Sequence, residues 1–334
     1  MKHVIPTIDP VRAGAAQPFW SVMIPSYNRD DLLAATLESV LACAPGPHEM
    51  QIEVVDDAST DGDPEGVLRD VGGGRVELFR QPQNVGASAN FTTCVQRARG
   101  HWVHILHSDD LVLPGFYEAY RAVIEQQAVD MVVGQSVLID GGGLWTGVSR
   151  PLETVDGLVH DAHRVLAMLN PVCCPAIVVA RRAYERAGGF DPELVHACDW
   201  EMWARLASAG SVGYVATPHT LYRRHDGSDT TRLSQSTTYL TDPLAALAVI
   251  CERFEREEDR TAIRSGASDI LSDRAIDASA AHLAAGDRRR AVQHAAWAVR
   301  LHPSPRTIAL AARSLGRPRH ATTWGPAAPT ATTT

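Results

Sequence analysis

Short apolar runs alternate with segments of helical periodicity along the first part of the chain. The runs of strand length lie at 22–24, 52–55, 76–79, 102–106 and 131–139. Between them, apolar residues recur at the spacing of one helix face. Parallel strands need a crossover, usually a helix, so this alternation is typical of a mostly parallel sheet with helices on both faces. The predicted fold class is therefore α/β, with a Rossmann-like sheet.

The same pattern divides the chain into four predicted parts. Residues 1–18 are predicted to be a flexible leader, and residues 19–236 form the α/β domain. From about residue 237, long helical patterns rich in Ala, Arg, Leu and His replace strands, which predicts a helical C-terminal region over residues 237–316. Residues 317–334 are rich in Pro, Ala and Thr and are predicted to be disordered.

Charge and hydropathy narrow the classes of partner. The formal net charge of −8 disfavours nucleic acid. The sequence has no stretch of about 18 apolar residues, so no transmembrane segment is predicted. The N-terminus lacks the apolar core of a signal peptide. The six cysteines form no C-x-x-C pair and are interpreted as reduced thiols. The predicted location is cytoplasmic, with peripheral contact at the inner membrane face left open.

Three acidic clusters lie at the ends of predicted elements. They are Asp56-Asp57, Asp109-Asp110 and Asp199. The first two follow the runs at 52–55 and 102–106, and ligands of open parallel sheets bind outside the carboxyl ends of the strands. Carboxylates there can hold a divalent cation and a phosphorylated ligand. Taken alone, each cluster also fits a turn or a helix N-cap, where Asp is common.

A basic segment near residue 225 adds a histidine to these carboxylates. His225 follows Arg223 and Arg224. Histidine is a common metal ligand, so His225 and Asp110 can complete a mixed nitrogen–oxygen site. A surface histidine with no ligand is the alternative, and either arginine can contact phosphate through its fork of donors.

The order of these segments resembles family 2 glycosyltransferases, which have the GT-A fold. The segments that carry the resemblance are 21–29, 54–62, 84–90, 108–110, 188–191, 199–206 and 223–225. The resemblance covers roughly residues 19–232. It implies an inverting enzyme of polysaccharide biosynthesis that uses a nucleoside-diphosphate sugar and Mn²⁺ or Mg²⁺.

The resemblance also implies a role for each matching residue. The donor-binding positions are Pro25, Tyr27, Arg29, Asp57 and Asn90. Asp109 and Asp110 match the family's D-x-D position, where the first residue faces ribose or sugar and the second carries the metal. Asp199 matches the general base, and His225 matches a metal- or phosphate-contacting residue of some members. Arg224 is left to neutralise phosphate.

Three positions depart from the family pattern. Cys198 replaces the acidic residue that often precedes the base, which leaves Asp199 as the candidate. The D-x-D motif is Ser-Asp-Asp, so metal coordination is expected to depend on Asp110. Ser88-Ala89 stands where the loop usually has a basic residue, so phosphate neutralisation depends more on the metal and Arg224.

The resemblance leaves the substrates open. Asp57 is compatible with the N3–H of uracil or thymine, so a UDP- or dTDP-sugar is the first hypothesis, and GDP-sugars stay open. The acceptor hydroxyl belongs to a saccharide, a lipid-linked saccharide or a small natural product. A homo-oligomer formed through the C-terminal helices is a further partner hypothesis.

The sequence also bears on three other functions. A non-catalytic sugar-nucleotide-binding protein of the same fold stays open, as does a scaffold built on the C-terminal helices. A nicotinamide-dependent oxidoreductase is disfavoured because Pro25–Asn28 stands where G-x-G-x-x-G would be needed.

Overall fold

A ten-stranded sheet forms the centre of the molecule. The computed structural model describes residues 3–225, 227, 228, 232 and 238–316, so the predicted disordered tail lies outside the described residues. The strands are β1 (Trp20–Ser26), β2 (Met50–Asp56), β3 (Glu77–Arg80), β4 (Trp102–Ile105), β5 (Leu111–Val112), β6 (Met131–Asp140), β7 (Trp145–Val148), β8 (Gly157–Leu158), β9 (Ile177–Ala180) and β10 (Val212–Arg224).

Helices connect the strands and make up the C-terminal part. The helices are α1 (Asp30–Cys43), α2 (Pro64–Val71), α3 (Ala87–Arg97), α4 (Phe116–Gln126), α5 (Ala162–Met168), α6 (Arg181–Ala187), α7 (Cys198–Ala209), α8 (Thr238–Cys251), α9 (Glu257–Ala284), α10 (Arg288–Leu301) and α11 (Pro305–Gly316). None of the described helices is long and apolar enough to cross a membrane.

The strand order is β3-β2-β1-β4-β9-β6-β10-β5, with β7 beside β6 and β8 beside β10. The pairs β1–β2, β1–β4, β2–β3 and β6–β10 are parallel, whereas β9 runs antiparallel between β4 and β6. Every residue of β1 and β2 is buried, as expected for central strands with both faces covered. The predicted α/β class with a mostly parallel sheet is confirmed.

The N-terminal segment packs on this domain. Ile8 is 3% exposed, the Pro6 carbonyl accepts a hydrogen bond from the Gly189 amide at 2.7 Å, and the Asp9 carbonyl accepts one from Arg181 Nη2 at 2.7 Å. These backbone contacts hold a segment that has no regular secondary structure. Part of residues 3–9 therefore contacts the sheet domain, and the flexible leader over residues 1–18 stays a prediction.

The C-terminal helices share the core of the sheet domain. Ala246, Ile250, Phe254 and Ile263 belong to the same buried apolar cluster as the strands. Helix α8 contacts α7, and α9 contacts α5. The described residues from 238 onward are almost entirely helical. Helix α8 and the first half of α9 share the main core, whereas Ala275, Ile276 and Ala298 form a second, small apolar cluster. The domain boundary at residue 236 stays a prediction.

A buried histidine makes stability depend on pH. His104 on β4 is fully buried, with Nε2 2.9 Å from the Pro175 carbonyl. Burial lowers the pKa of His104 to about 4. The folded protein therefore favours the neutral imidazole of His104. This contribution to stability is fully present above the pKa of the unfolded chain, about 6.5. That contribution is lost as the pH falls from about 6.5 towards 4.

We expect His104 to make unfolding sensitive to acid. Between pH 7 and pH 4 the free energy of unfolding of the wild type should fall by up to about 3 kcal/mol more than that of His104→Gln, whose side chain stays neutral. Urea unfolding at several pH values measures both curves. Parallel curves for the two proteins would contradict the assignment.

Candidate active site

The loops that follow β1 and β2 are joined by one asparagine. Asn28 has a left-handed backbone, with φ of 52°, which Asn tolerates better than most residues. Its Oδ1 accepts hydrogen bonds from the amides of Thr60 at 2.8 Å and Asp61 at 3.1 Å, and its own amide donates to Ser59 Oγ at 2.8 Å. The sequence analysis gave Asn28 no role, although Asn directly after a strand is a signal for such turn chemistry.

Asp57 holds the loop in front of α3. It is 3% exposed, and its two carboxylate oxygens accept hydrogen bonds from the amides of Val85 at 2.8 Å and Gly86 at 3.0 Å. Asn90 Nδ2 then donates to the Val55 carbonyl at 2.9 Å and ties α3 to β2. The predicted place of Asn90 in donor binding stays a prediction. The predicted contact between Asp57 and a nucleobase stays a prediction.

The other predicted donor-binding residues lie at the end of β1. Pro25 is buried within the strand, and Tyr27 is 40% exposed on the loop that follows. Arg29 Nη1 donates to the Asn28 carbonyl at 2.9 Å, and Nη2 donates to the Gly227 carbonyl. Arg29 therefore connects the loop after β1 with the segment after β10.

Asp110 follows β4 and is fully buried. Its Oδ1 accepts a hydrogen bond from the Arg223 amide at 2.8 Å, and its Oδ2 lies 3.8 Å from His107 Nδ1. Burial, and then the negative charge of Asp109, raise the pKa of the Asp110 carboxyl well above its usual range. The main contact of this carboxyl thus joins the end of β4 to the end of β10.

Asp109 is the more accessible carboxylate of the pair. Its side chain is 18% exposed, and Oδ2 lies 3.0 Å from His225 Nε2. Arg223 Nε donates to the Asp109 carbonyl at 3.0 Å, which fixes the end of β10 against this turn. The sequence analysis paired His225 with Asp110 as metal ligands, whereas the structure brings His225 to Asp109. The assignment of His225 and Asp110 as metal ligands stays a prediction. The 3.0 Å contact favours Asp109 as the partner of His225.

His107 completes a donor set that can hold a cation. Ligand atoms of His107, Asp109 and Asp110 all lie within 4.8 Å of one another. Buried His107 Nε2 and Asp110 Oδ2 have no hydrogen-bond partner among the described residues. A buried carboxylate oxygen without a donor, close to a second carboxylate and an imidazole, fits a small divalent cation. The sequence analysis missed His107, whose signal was its place two residues before Asp109.

Asp199 lies in the first turn of α7. The N-cap of this helix is Ala197, so Asp199 is not the N-cap, which was the alternative interpretation of this residue. Asp199 Oδ1 accepts a hydrogen bond from the Trp200 amide at 2.6 Å, and Oδ2 accepts one from Asn170 Nδ2 at 2.9 Å. The carboxylate is held in place and is still partly exposed.

The turn of residues 170–174 connects Asp199 with the cluster that follows β4. Burial, and also the negative charges of Asp110 and Asp199, raise the pKa of the Cys173 thiol to about 12, whereas Arg224 lowers it. The same two carboxylates raise the pKa of Cys174, after burial. The contacts of this turn agree: Asn170 Nδ2 donates to Asp199 Oδ2 at 2.9 Å, and Cys174 Sγ donates to the carbonyl of Ile105, at the end of β4, at 3.7 Å. Arg224, at the end of β10, is exposed beside it.

Known proteins share both the sequence pattern and this fold. Residues 21–188 match the model for glycosyl transferase family 2. An uncharacterized protein of Mycobacterium tuberculosis is 29% identical over 236 residues, which are 67% of this chain and 72% of that protein. TuaG of Bacillus subtilis, a putative teichuronic acid biosynthesis glycosyltransferase, is 27% identical over 203 residues, 59% of this chain and 75% of its own.

A solved structure with a similar fold comes from S. aureus. It is TarS 1–349 in complex with UDP-GlcNAc, with a TM-score of 0.63 over 89% of this chain and 88% of that one. The sequence identity is 15%, so the likeness is one of fold.

Proposed function

Since the chain belongs to glycosyl transferase family 2 and is a glycosyltransferase, we propose that it moves a sugar from a nucleoside-diphosphate sugar to an acceptor hydroxyl with inversion. One observation carries the proposal. The turn of residues 170–174 contacts the partly exposed carboxylate of Asp199 through Asn170, and contacts the end of β4, just before the donor set of His107, Asp109 and Asp110, through Cys174. One site can therefore bind the leaving diphosphate and accept the proton of the acceptor hydroxyl.

The nucleoside end of the donor fits the loops after β1 and β2. Tyr27 offers an exposed ring for stacking, and Asn28 and Asp57 fix the surrounding backbone. Asp57 remains our candidate for the N3–H of uracil. Pro25 lies in β1 just before the first of these loops, and Arg29 follows Tyr27 and Asn28. UDP-GlcNAc in TarS supports a UDP-sugar, with dTDP-sugars as the next choice.

The diphosphate end fits the turn after β4. Asp109 and His225, with His107 and Asp110 behind them, would hold Mn²⁺ or Mg²⁺. A divalent cation there would neutralise the charge that develops on the leaving diphosphate. Arg224 is exposed at the end of β10 and adds a positive charge for phosphate.

Asp199 serves as the general base in this proposal. It takes the proton from the acceptor hydroxyl as the oxygen attacks the anomeric carbon, on the face opposite the leaving group, which inverts the configuration. The Trp200 amide and Asn170 orient the carboxylate towards that proton. The name of TuaG supports a saccharide acceptor in polymer synthesis.

A ligand screen followed by a transfer assay tests the proposal. A UDP-sugar with Mn²⁺ should raise the free energy of unfolding by about 2.7 kcal/mol at a hundred times its dissociation constant. The shift should be smaller without Mn²⁺ and smaller for GDP-sugars. NMR of the product should show the inverted anomer. Stabilisation without transfer or hydrolysis would favour the non-catalytic binder, and retained configuration would exclude Asp199 as the base of a single displacement.

A further inference from the structure

The helix that carries Asp199 has no N-terminal cap of its own. Its N-cap residue, Ala197, offers no side chain that could accept a hydrogen bond from the first-turn amides. The segment in front of it, Val195–Ala197, contains no residue with a side-chain carboxylate. Amides at a helix N-terminus need acceptors when they are buried, and Ala197 is 4% exposed.

A carboxylate from the C-terminal helices accepts instead from the three amides directly in front of the first turn, including that of the N-cap residue Ala197. Asp242, in the first part of α8, is 7% exposed. Its Oδ1 accepts a hydrogen bond from the Val195 amide at 3.1 Å, and its Oδ2 accepts from the amides of His196 at 2.7 Å and Ala197 at 2.6 Å. A negative charge at this end of α7 also matches the helix dipole.

The same region holds α7 at a second point. Arg253, just after α8, donates from Nη2 to Glu201 Oε1 at 2.9 Å. Glu201 is fully buried in α7 and also accepts two hydrogen bonds from Arg205, at 3.1 and 2.6 Å. Asp242 of α8 and Arg253, just after α8, therefore contact the segment in front of α7 and the first turn of α7.

We propose that Asp242 is a positioning residue for catalysis, which sets the direction of the Asp199 carboxylate by fixing the start of α7. The inference rests on the proposed function of Asp199. Asp199 is two residues past Ala197, so a rotation of the first turn moves its carboxylate directly. Displacement of a catalytic group by about 1 Å can cost about a hundredfold in rate. The C-terminal helices are then part of the catalytic unit.

Two substitutions at Asp242 test this role against a matched control. Asp242→Ala should lower kcat by about 10- to 100-fold, and Asp242→Asn, which keeps one oxygen acceptor, should lower it less. The dissociation constant for the UDP-sugar should stay within about twofold, because the donor loops lie elsewhere. Asp287→Asn is the control, since Asp287 caps α10 by accepting from the Arg290 amide at 3.0 Å. It should lose no turnover.

Hydrogen exchange separates this inference from the proposed function. In Asp242→Asn the amides of Val195–Ala197 should exchange faster, with little change at β1 and β4. This readout needs no substrate, so it tests the contact even if the wild type transfers no sugar. Unchanged exchange at these amides, or full kcat in folded Asp242→Ala, would overturn the inference. A lower unfolding temperature with kcat intact would likewise reduce Asp242 to a structural role.

Discussion

Asp199→Asn is expected to lower kcat by about 10²–10⁴-fold while the dissociation constant of the donor stays within about twofold. The amide has nearly the shape of the carboxylate and keeps an oxygen that can accept from the Trp200 amide, 2.6 Å from Asp199 Oδ1. It cannot take a proton from the acceptor hydroxyl. Steady-state kinetics with saturating donor, together with calorimetric titration of the UDP-sugar, separate the two effects.

Asp273→Asn is a matched control for this substitution. Asp273 is an exposed carboxylate of α9, 3.8 Å from Arg306, and lies outside the candidate active site. Its loss should leave kcat unchanged. If Asp199→Asn turned over at nearly the wild-type rate, another base would be required. If it lost donor binding to the same extent as turnover, Asp199 would be holding the site together.

The periodicity of the sequence was enough to place the strand ends. Asp56 ends β2 and Asp110 lies soon after β4, as the apolar runs predicted, whereas the two-residue strand β5 directly after Asp110 was not predicted. The period of a run reports which residues are buried locally, so elements and their ends can be predicted from it. The carboxyl-end rule for parallel sheets then brings the loops to one edge.

Contacts between distant segments could not be predicted in this way. His225 and Asp109 are 116 positions apart, and local periodicity carries no information on which side chains meet across such a separation. The choice of Asp110 as partner for His225 followed a motif match, whereas burial turns Asp110 inward to the Arg223 amide. Asp242 was missed for the same reason, since its three backbone partners lie 45 to 47 positions away.

The N-terminal segment shows a second limit of prediction from the sequence. Residues 3–9 have no periodicity and make their contacts with backbone carbonyls, such as Pro6 to Gly189 and Asp9 to Arg181. Every residue type except proline offers the same backbone donor and acceptor, so a composition argument cannot detect this kind of docking.

Asp109→Asn and Asp110→Asn are expected to separate the two carboxylates of the turn after β4. Asp109 is partly exposed and lies 3.0 Å from His225, so its loss should weaken Mn²⁺ binding and lower kcat by at least about 10²-fold, since a bound cation contributes several kcal/mol. Asp110→Asn keeps an oxygen for the Arg223 amide, 2.8 Å away. It should bind Mn²⁺ more tightly than Asp109→Asn.

Titration of Mn²⁺ by electron paramagnetic resonance, with a UDP-sugar present, measures the affinities without turnover. Asp63→Asn serves as the control, because Asp63 caps α2 by accepting from the Gly66 amide and lies away from the cluster. The opposite order, with Mn²⁺ lost in Asp110→Asn and kept in Asp109→Asn, would restore Asp110 as the metal ligand. Asp110 Oδ2, which has no hydrogen-bond partner among the described residues, would then be the oxygen that binds the cation.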